Sequence, residues 1–199
     1  MTIEFDFYFD YGSPTSYLAD AQIQRIAADT GAIVNYRPVL LGGILKASGN
    51  ASPMDVPLKR AWMMNDVTFF AKRYEVPFAF NPHFPVNTLN LMRGAIYAQG
   101  RGFLREYSDA IYSGMWVEQR NLAELSEVKD VLDARGISSS DIIEGIQDPE
   151  IKTKLIAVTD AAFKRGLFGA PVAFLGDTMF FGQDRIRFLE EAIRSISDA

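Results

Sequence analysis

The sequence predicts an α/β fold in which strand-bearing ends enclose a helical middle. Three observations carry this reading. Residues 5–10 (FDFYFD) alternate aromatic and polar side chains, as a half-buried strand does. Residues 42–148 read as successive helical segments without a convincing strand. Residues 171–175 (PVAFL) and 179–181 then return to strand character around Gly176-Asp177, a hairpin turn signal.

Each element has its own local cause. Gly12-Ser13-Pro14 breaks the opening strand, and Pro14 suits the first turn of a helix because its missing N–H is not needed there. Ser13 stands at the N-cap position, with its hydroxyl at the positive end of the helix dipole. Residues 14–30 carry Leu18, Ala21, Ile26 and Ala27 among polar residues and stop at Gly31. Residues 32–41 (AIVNYRPVLL) form a second strand, and a helix of this length between two strands implies a parallel, right-handed βαβ unit.

Residues 42–57 (GGILKASGNASPMDVP) are rich in Gly, Ser and Pro and read as a loop or broken helix. Helices are expected at 58–74, 87–99, 103–116, 122–135, 140–147 and 149–165, with an irregular, proline-bearing connection at 75–85. Asp148 is placed to cap the helix that starts at Pro149, and Asp184 to begin the last helix, with Ile186, Leu189 and Ile193 at helical spacing.

Composition narrows the chemistry. The 199 residues are 48% hydrophobic, enough for one sizeable core. A net charge of −5 and no basic block argue against a nucleic-acid partner. No apolar run approaches the ~20 residues that span a bilayer. Glu4, Asp6 and Asp10 fall where a signal peptide would be basic or apolar, so a cytoplasmic chain with no membrane partner is expected. There is no cysteine, which removes disulfides, thiolate metal sites and a protein thiol nucleophile. His83 is the one histidine, so neither a multi-histidine metal site nor a Ser-His triad is expected, and no metal is assigned.

The order β-α-β, helical insertion, α-β-β-α is that of a thioredoxin-like fold with an all-helical domain inserted after the second strand. The bounds expected are 1–41 and 166–199 for the thioredoxin-like domain, with helix 149–165, and 42–148 for the insertion. Together YGSPTSYLA at 11–19, SGNxxP at 48–53, FGAPVAFLGD at 168–177 and FFGQDR at 180–185 resemble the 2-hydroxychromene-2-carboxylate isomerases and the related kappa-class glutathione transferases. The resemblance covers 3–196.

This resemblance implies glutathione as cofactor, with its sulfur stabilised by Ser13 as the catalytic group. It implies that Ala170, before a cis Pro171, pairs with the cysteinyl backbone of glutathione. Gln183 and Asp184 would hold the γ-glutamyl carboxylate and ammonium, and Asn50 and Lys59 the glycyl carboxylate. Lys46 is a candidate for the substrate carboxylate, and Trp62, Met63, His83, Phe84 and Trp116 for contact with a flat aromatic substrate. On the residues alone, Ser13 and Asp184 read as helix caps, Lys59 as a solvated lysine and the aromatic residues as core.

Three functions share these residues. The first is a glutathione-dependent isomerase that interconverts 2-hydroxychromene-2-carboxylate and trans-o-hydroxybenzylidenepyruvate by thiolate addition, bond rotation and elimination. The second is a transferase that leaves a stable conjugate. The third is a non-catalytic binding module. The resemblance also implies a homodimer.

Overall fold

The structure, a computed structural model, describes residues 2–197; Met1, Asp198 and Ala199, at the outer bounds expected for the thioredoxin-like domain, lie outside the described residues. The order is β1 (Glu4–Phe9), α1 (Pro14–Thr30), β2 (Ile33–Pro38), α2 (Leu41–Ser48), α3 (Pro57–Arg73), α4 (Leu89–Arg101), α5 (Leu104–Trp116), α6 (Leu125–Asp133), α7 (Ser139–Gly145), α8 (Pro149–Lys164), β3 (Val172–Leu175), β4 (Thr178–Phe181) and α9 (Ile186–Ser197). Short 3-10 turns at Pro53–Asp55 and Gln183–Arg185 precede α3 and α9.

The sheet runs β2-β1-β3-β4, with β1 parallel to β2, and β3 antiparallel to both neighbours. Alternation along β1 decides what each face covers. Phe5, Phe7 and Phe9 enter the large core shared with α1, α4, α5 and α9, whereas Tyr8 packs on the other side with Val39, Ile44, Ala162, Leu167 and Phe174. Burial on both faces is what a thioredoxin-like α/β sheet requires.

The bounds of α1 follow from its ends. Ser13 Oγ accepts the Ser16 N–H at 3.0 Å, Pro14 opens the first turn, and Gly31, at φ 69°, stops the helix by donating to the Ala27 carbonyl at 2.9 Å. Asp148 caps α8 as expected, its Oδ1 accepting the Glu150 N–H at 2.8 Å. The expected hairpin joins β3 to β4 with Leu175 opposite Thr178.

The glycine-rich segment after β2 departs from its loop reading. It holds α2, and Gly43 has a packing reason: a Cβ there would lie 3.3 Å from the Thr159 methyl of α8. Asp184 does not begin the last helix. It lies inside the 3-10 turn that Gly182 opens at φ 91°, and α9 starts at Ile186. Among the described residues no helix is long and apolar enough to cross a membrane, and no group of His, Cys, Asp and Glu could hold a metal ion.

Candidate functional site

Four stretches distant in sequence, together with Phe84, line one cleft of about 720 Å³. The stretches are the β1–α1 turn from Gly12 to Thr15, the 41–70 region, the segment 169–171 and the turn 181–184. Sequence spacing could not show this convergence; the sheet order produces it. β1 and β3 are neighbours, so the turn that ends one meets the segment that begins the other.

Ser13 is 4% exposed and lines this cleft. Its Oγ lies 3.0 Å from the Ser16 N–H, 2.9 Å from Thr15 Oγ1 and 3.3 Å from the Ala170 carbonyl, to which it donates. The cap reading of Ser13 holds, and the same hydroxyl also lines the cleft beside the Ala170 carbonyl. The Ala170–Pro171 peptide is cis, and so is Phe84–Pro85, which sequence reasoning did not single out.

A buried carboxylate holds this turn in place. Asp10 accepts the Gly12 N–H and the Leu41 N–H, both at 2.8 Å, and so ties the Ser13 turn to the start of α2. Burial pushes its carboxyl above the usual carboxylate range, against hydrogen bonds from Leu41, Gly12 and Thr88 that favour the charged form. Trp116 supports the same turn from below and is no cleft wall, in correction of the sequence reading. It is fully buried, donates its indole N–H to the Tyr11 carbonyl at 2.9 Å and stacks on Phe78. Its helical position could not reveal which side of α5 faces the interior.

The cleft has charge at separated positions. Lys59 and Asp66 both line it from α3, and seven residues of helix place them about 10 Å apart along one face. Lys59 has no ion-pair partner among the described residues. Asp66 lies near Asp184, and burial first, the Asp184 charge second, hold its carboxyl above the usual range. Asn50 donates to the Phe168 carbonyl at 2.9 Å and accepts the Ala51 N–H at 2.9 Å, bracing the loop beside Gly169 and Ala170. Gln183 is 3% exposed, with its Oε1 on the Tyr74 hydroxyl at 2.8 Å.

Trp62, Met63 and Phe84 add apolar lining, and Trp62 is 66% exposed. Lys46 is not among the lining residues, although it lies on α2. His83 lies on a separate surface depression with Gln119, Arg120 and Glu124. Sequence reasoning missed Asp10, Thr15, Asp66 and Tyr74. Thr15 was within reach, since it adjoins Ser13 in the first turn; the others carry no local signal.

An elongated ligand with a carboxylate at one end and an ammonium at the other suits this charge pattern. Three residues of extended peptide span about 10 Å, the same length as the Lys59–Asp66 separation. A hydroxyl donor at a helix N-terminus suits an anionic atom.

Comparison with known proteins agrees with the fold. The model of the DSBA-like thioredoxin domain matches residues 4–194. A 2-hydroxychromene-2-carboxylate isomerase of Sphingobium xenophagum is 33% identical over 96% of this chain and 97% of its own. Glutathione S-transferase kappa 1 of Rattus norvegicus is 27% identical over 92% of this chain and 88% of its own. A solved 2-hydroxychromene-2-carboxylate isomerase superposes with a TM-score of 0.89 at 28% identity, covering 98% of this chain and 96% of that one. With matches that run nearly the length of both partners, the chain belongs to the 2-hydroxychromene-2-carboxylate isomerase family of DSBA-like thioredoxin domains.

Proposed function

We propose that the protein is a glutathione-dependent isomerase acting on an aromatic-degradation intermediate, of the type that converts 2-hydroxychromene-2-carboxylate to trans-o-hydroxybenzylidenepyruvate. The observation that carries this reading is the cleft itself: a hydroxyl donor at the α1 N-terminus, with Lys59 and the Asp66–Asp184 pair separated along its wall. When bound, glutathione supplies a thiolate nucleophile that adds reversibly to an activated double bond and leaves unchanged, so that the bond can turn.

The chain's own residues do the rest. Ser13 donates its O–H to the sulfur, and the α1 N-terminus favours negative charge there. Ala170 offers extended backbone to the middle of the tripeptide. Lys59, with Asn50 on the bracing loop, takes the glycyl carboxylate; Asp184 takes the γ-glutamyl ammonium, and Gln183 the carboxylate beside it. Trp62, Met63 and Phe84 hold a flat aromatic substrate against the sulfur and keep water from it. Lys46 and His83 take no part in this arrangement, because neither lines the cleft.

A transferase is the second reading, supported by the kappa-class relatives at 27% identity. Product and thiol analysis separates the two. With 2-hydroxychromene-2-carboxylate and glutathione, the isomerase gives trans-o-hydroxybenzylidenepyruvate while free thiol stays constant over many turnovers. Loss of one thiol per product establishes the transferase. Turnover independent of glutathione, or none at all, overturns the reading. A homodimer and a cytoplasmic location belong to the same proposal and are tested by sedimentation and cell fractionation.

A further inference from the structure

A second cavity, of about 170 Å³, lies where α2, α4 and α8 pack together, and it shares no lining residue with the cleft among the described residues. Leu89 and Arg93 line it from α4, one turn apart. Along α8, Lys152, Leu155, Ile156, Thr159 and Asp160 recur at three and four residues, so one face of that helix forms the opposite wall. Leu40 and Gly43 close it from α2.

Arg93 is the group that this packing leaves uncommitted. It is half-buried, its Nε is buried without a hydrogen-bond partner, and no acid pairs with it among the described residues. A buried donor without an acceptor is costly, so this one calls for an acceptor from outside the chain. Lys152 brings a second positive charge, engaged with the Gln147 side-chain oxygen at 3.2 Å. Asp160 stands two turns along α8, about 12 Å from Lys152. Two cations against one carboxylate leave a single positive charge for a ligand to match.

The remaining walls are apolar. Leu40, Leu89, Leu155 and Ile156 supply them, and Ile156 is still 62% exposed. A carboxylate meets the planar guanidinium fork, and an apolar body attached to it covers the leucines. Inorganic phosphate would satisfy the charge and leave the apolar walls wet.

The position of the cavity gives its occupancy a consequence. Leu40 and Leu89 each adjoin a residue that holds Asp10: Leu41 through its N–H at 2.8 Å, and Thr88 through its side chain. Leu40 N–H is itself held by Thr159 Oγ1 at 3.0 Å. Asp10 also accepts the Gly12 N–H, next to Ser13.

We propose that this cavity is a second binding site, for a small apolar monocarboxylate held by Arg93 and Lys152, and that its occupancy steadies the Ser13 turn through Leu40, Leu89 and Asp10. The inference does not depend on the glutathione reading.

The test is an amide NMR titration with three probes: benzoate, its neutral analogue benzamide, and inorganic phosphate. Benzoate is expected to shift the Gly43, Arg93 and Thr159 amides saturably, and to bind about tenfold more tightly than either control. Arg93→Met is expected to weaken it by about tenfold, and Lys152→Met by a smaller factor. With benzoate bound, hydrogen exchange at the Gly12 amide is expected to slow several-fold in the wild type and not in Arg93→Met.

Shifts confined to Ser13 and Ala170 would place benzoate in the cleft and overturn the site. Equal affinity for benzamide or phosphate overturns its assignment to an apolar carboxylate. Full affinity in Lys152→Met overturns the paired-cation argument even if Arg93→Met fails to fold. Unchanged Gly12 exchange with the site saturated overturns the link to the Ser13 turn.

Discussion

The Ser13 hydroxyl lies 3.3 Å from the Ala170 carbonyl, a contact that joins the start of α1 to the segment before cis Pro171. That distance is long for an O–H···O bond, whereas the bonds to Ser16 N–H at 3.0 Å and to Thr15 at 2.9 Å are ordinary. The contact with the Ala170 carbonyl is thus the weakest of the three. A ligand's sulfur can take it over without uncapping the helix.

Replacement of Ser13 by alanine removes the cap as well as the donor. Urea unfolding of Ser13→Ala is expected to give a stability lower by about 1 kcal/mol, the usual cost of a lost N-cap. An unchanged midpoint would show that the Ser16 contact carries no weight.

Lys59 supplies cleft charge without an ion-pair partner among the described residues. Lys59→Met is expected to weaken glutathione binding by about tenfold at low salt, and to flatten the salt dependence of what remains. Affinity equal to that of the wild type in dilute buffer would remove Lys59 from the site.

Asp10 accepts from two main-chain N–H groups on its two oxygens, and an asparagine could serve only one. Asp10→Asn is expected to be less stable than the wild type by about 1–3 kcal/mol in mild acid. Burial raises the folded-state pKa, so between the unfolded and folded values the native state binds more protons and wild-type stability falls as pH rises. The gap between wild type and variant should therefore narrow toward neutral pH. A widening gap in urea titrations would contradict the burial argument.

Asp6 behaves in the opposite sense. Burial alone would raise its pKa, but hydrogen bonds from Arg165 and Arg37 outweigh it and hold the carboxyl below its usual value. Its stabilisation is complete above the unfolded pKa of about 3.9 and is lost as pH falls through the lower folded value. Arg165→Gln is expected to cost roughly 1 kcal/mol at neutral pH, because the ion pair is partly exposed, and less in acid. A cost independent of pH would assign Arg165 to packing on Phe174, whose ring lies 4.0 Å from its guanidinium.

Local punctuation made much of the fold legible. Pro14 and Gly31 bracket α1 where the structure has it, and Asp148-Pro149 opens α8. Gly42 and Gly43 misled because glycine signals both turns and close helix packing, and here Gly43 serves the second. Ser13 stood out by its place at a helix start, whereas Ala170, Pro171, Gln183, Asp184, Asn50 and Lys59 were named as site candidates only through resemblance. Tyr74 and Asp66 were not, because their meeting with the 183–184 turn depends on how α3 and that turn both pack on α1. Trp116 and His83 show the converse: an aromatic ring or an imidazole near a site in sequence need not face it in space.

The central claim is that Ser13 activates a borrowed thiol. Its most direct test is the pKa of the glutathione thiol on the enzyme, read from thiolate ultraviolet absorbance across pH in the wild type and in Ser13→Ala. A thiol pKa clearly below that of free glutathione in the wild type, and partly restored in the variant, is the predicted result. A bound thiol that titrates as in free solution in both proteins would contradict it.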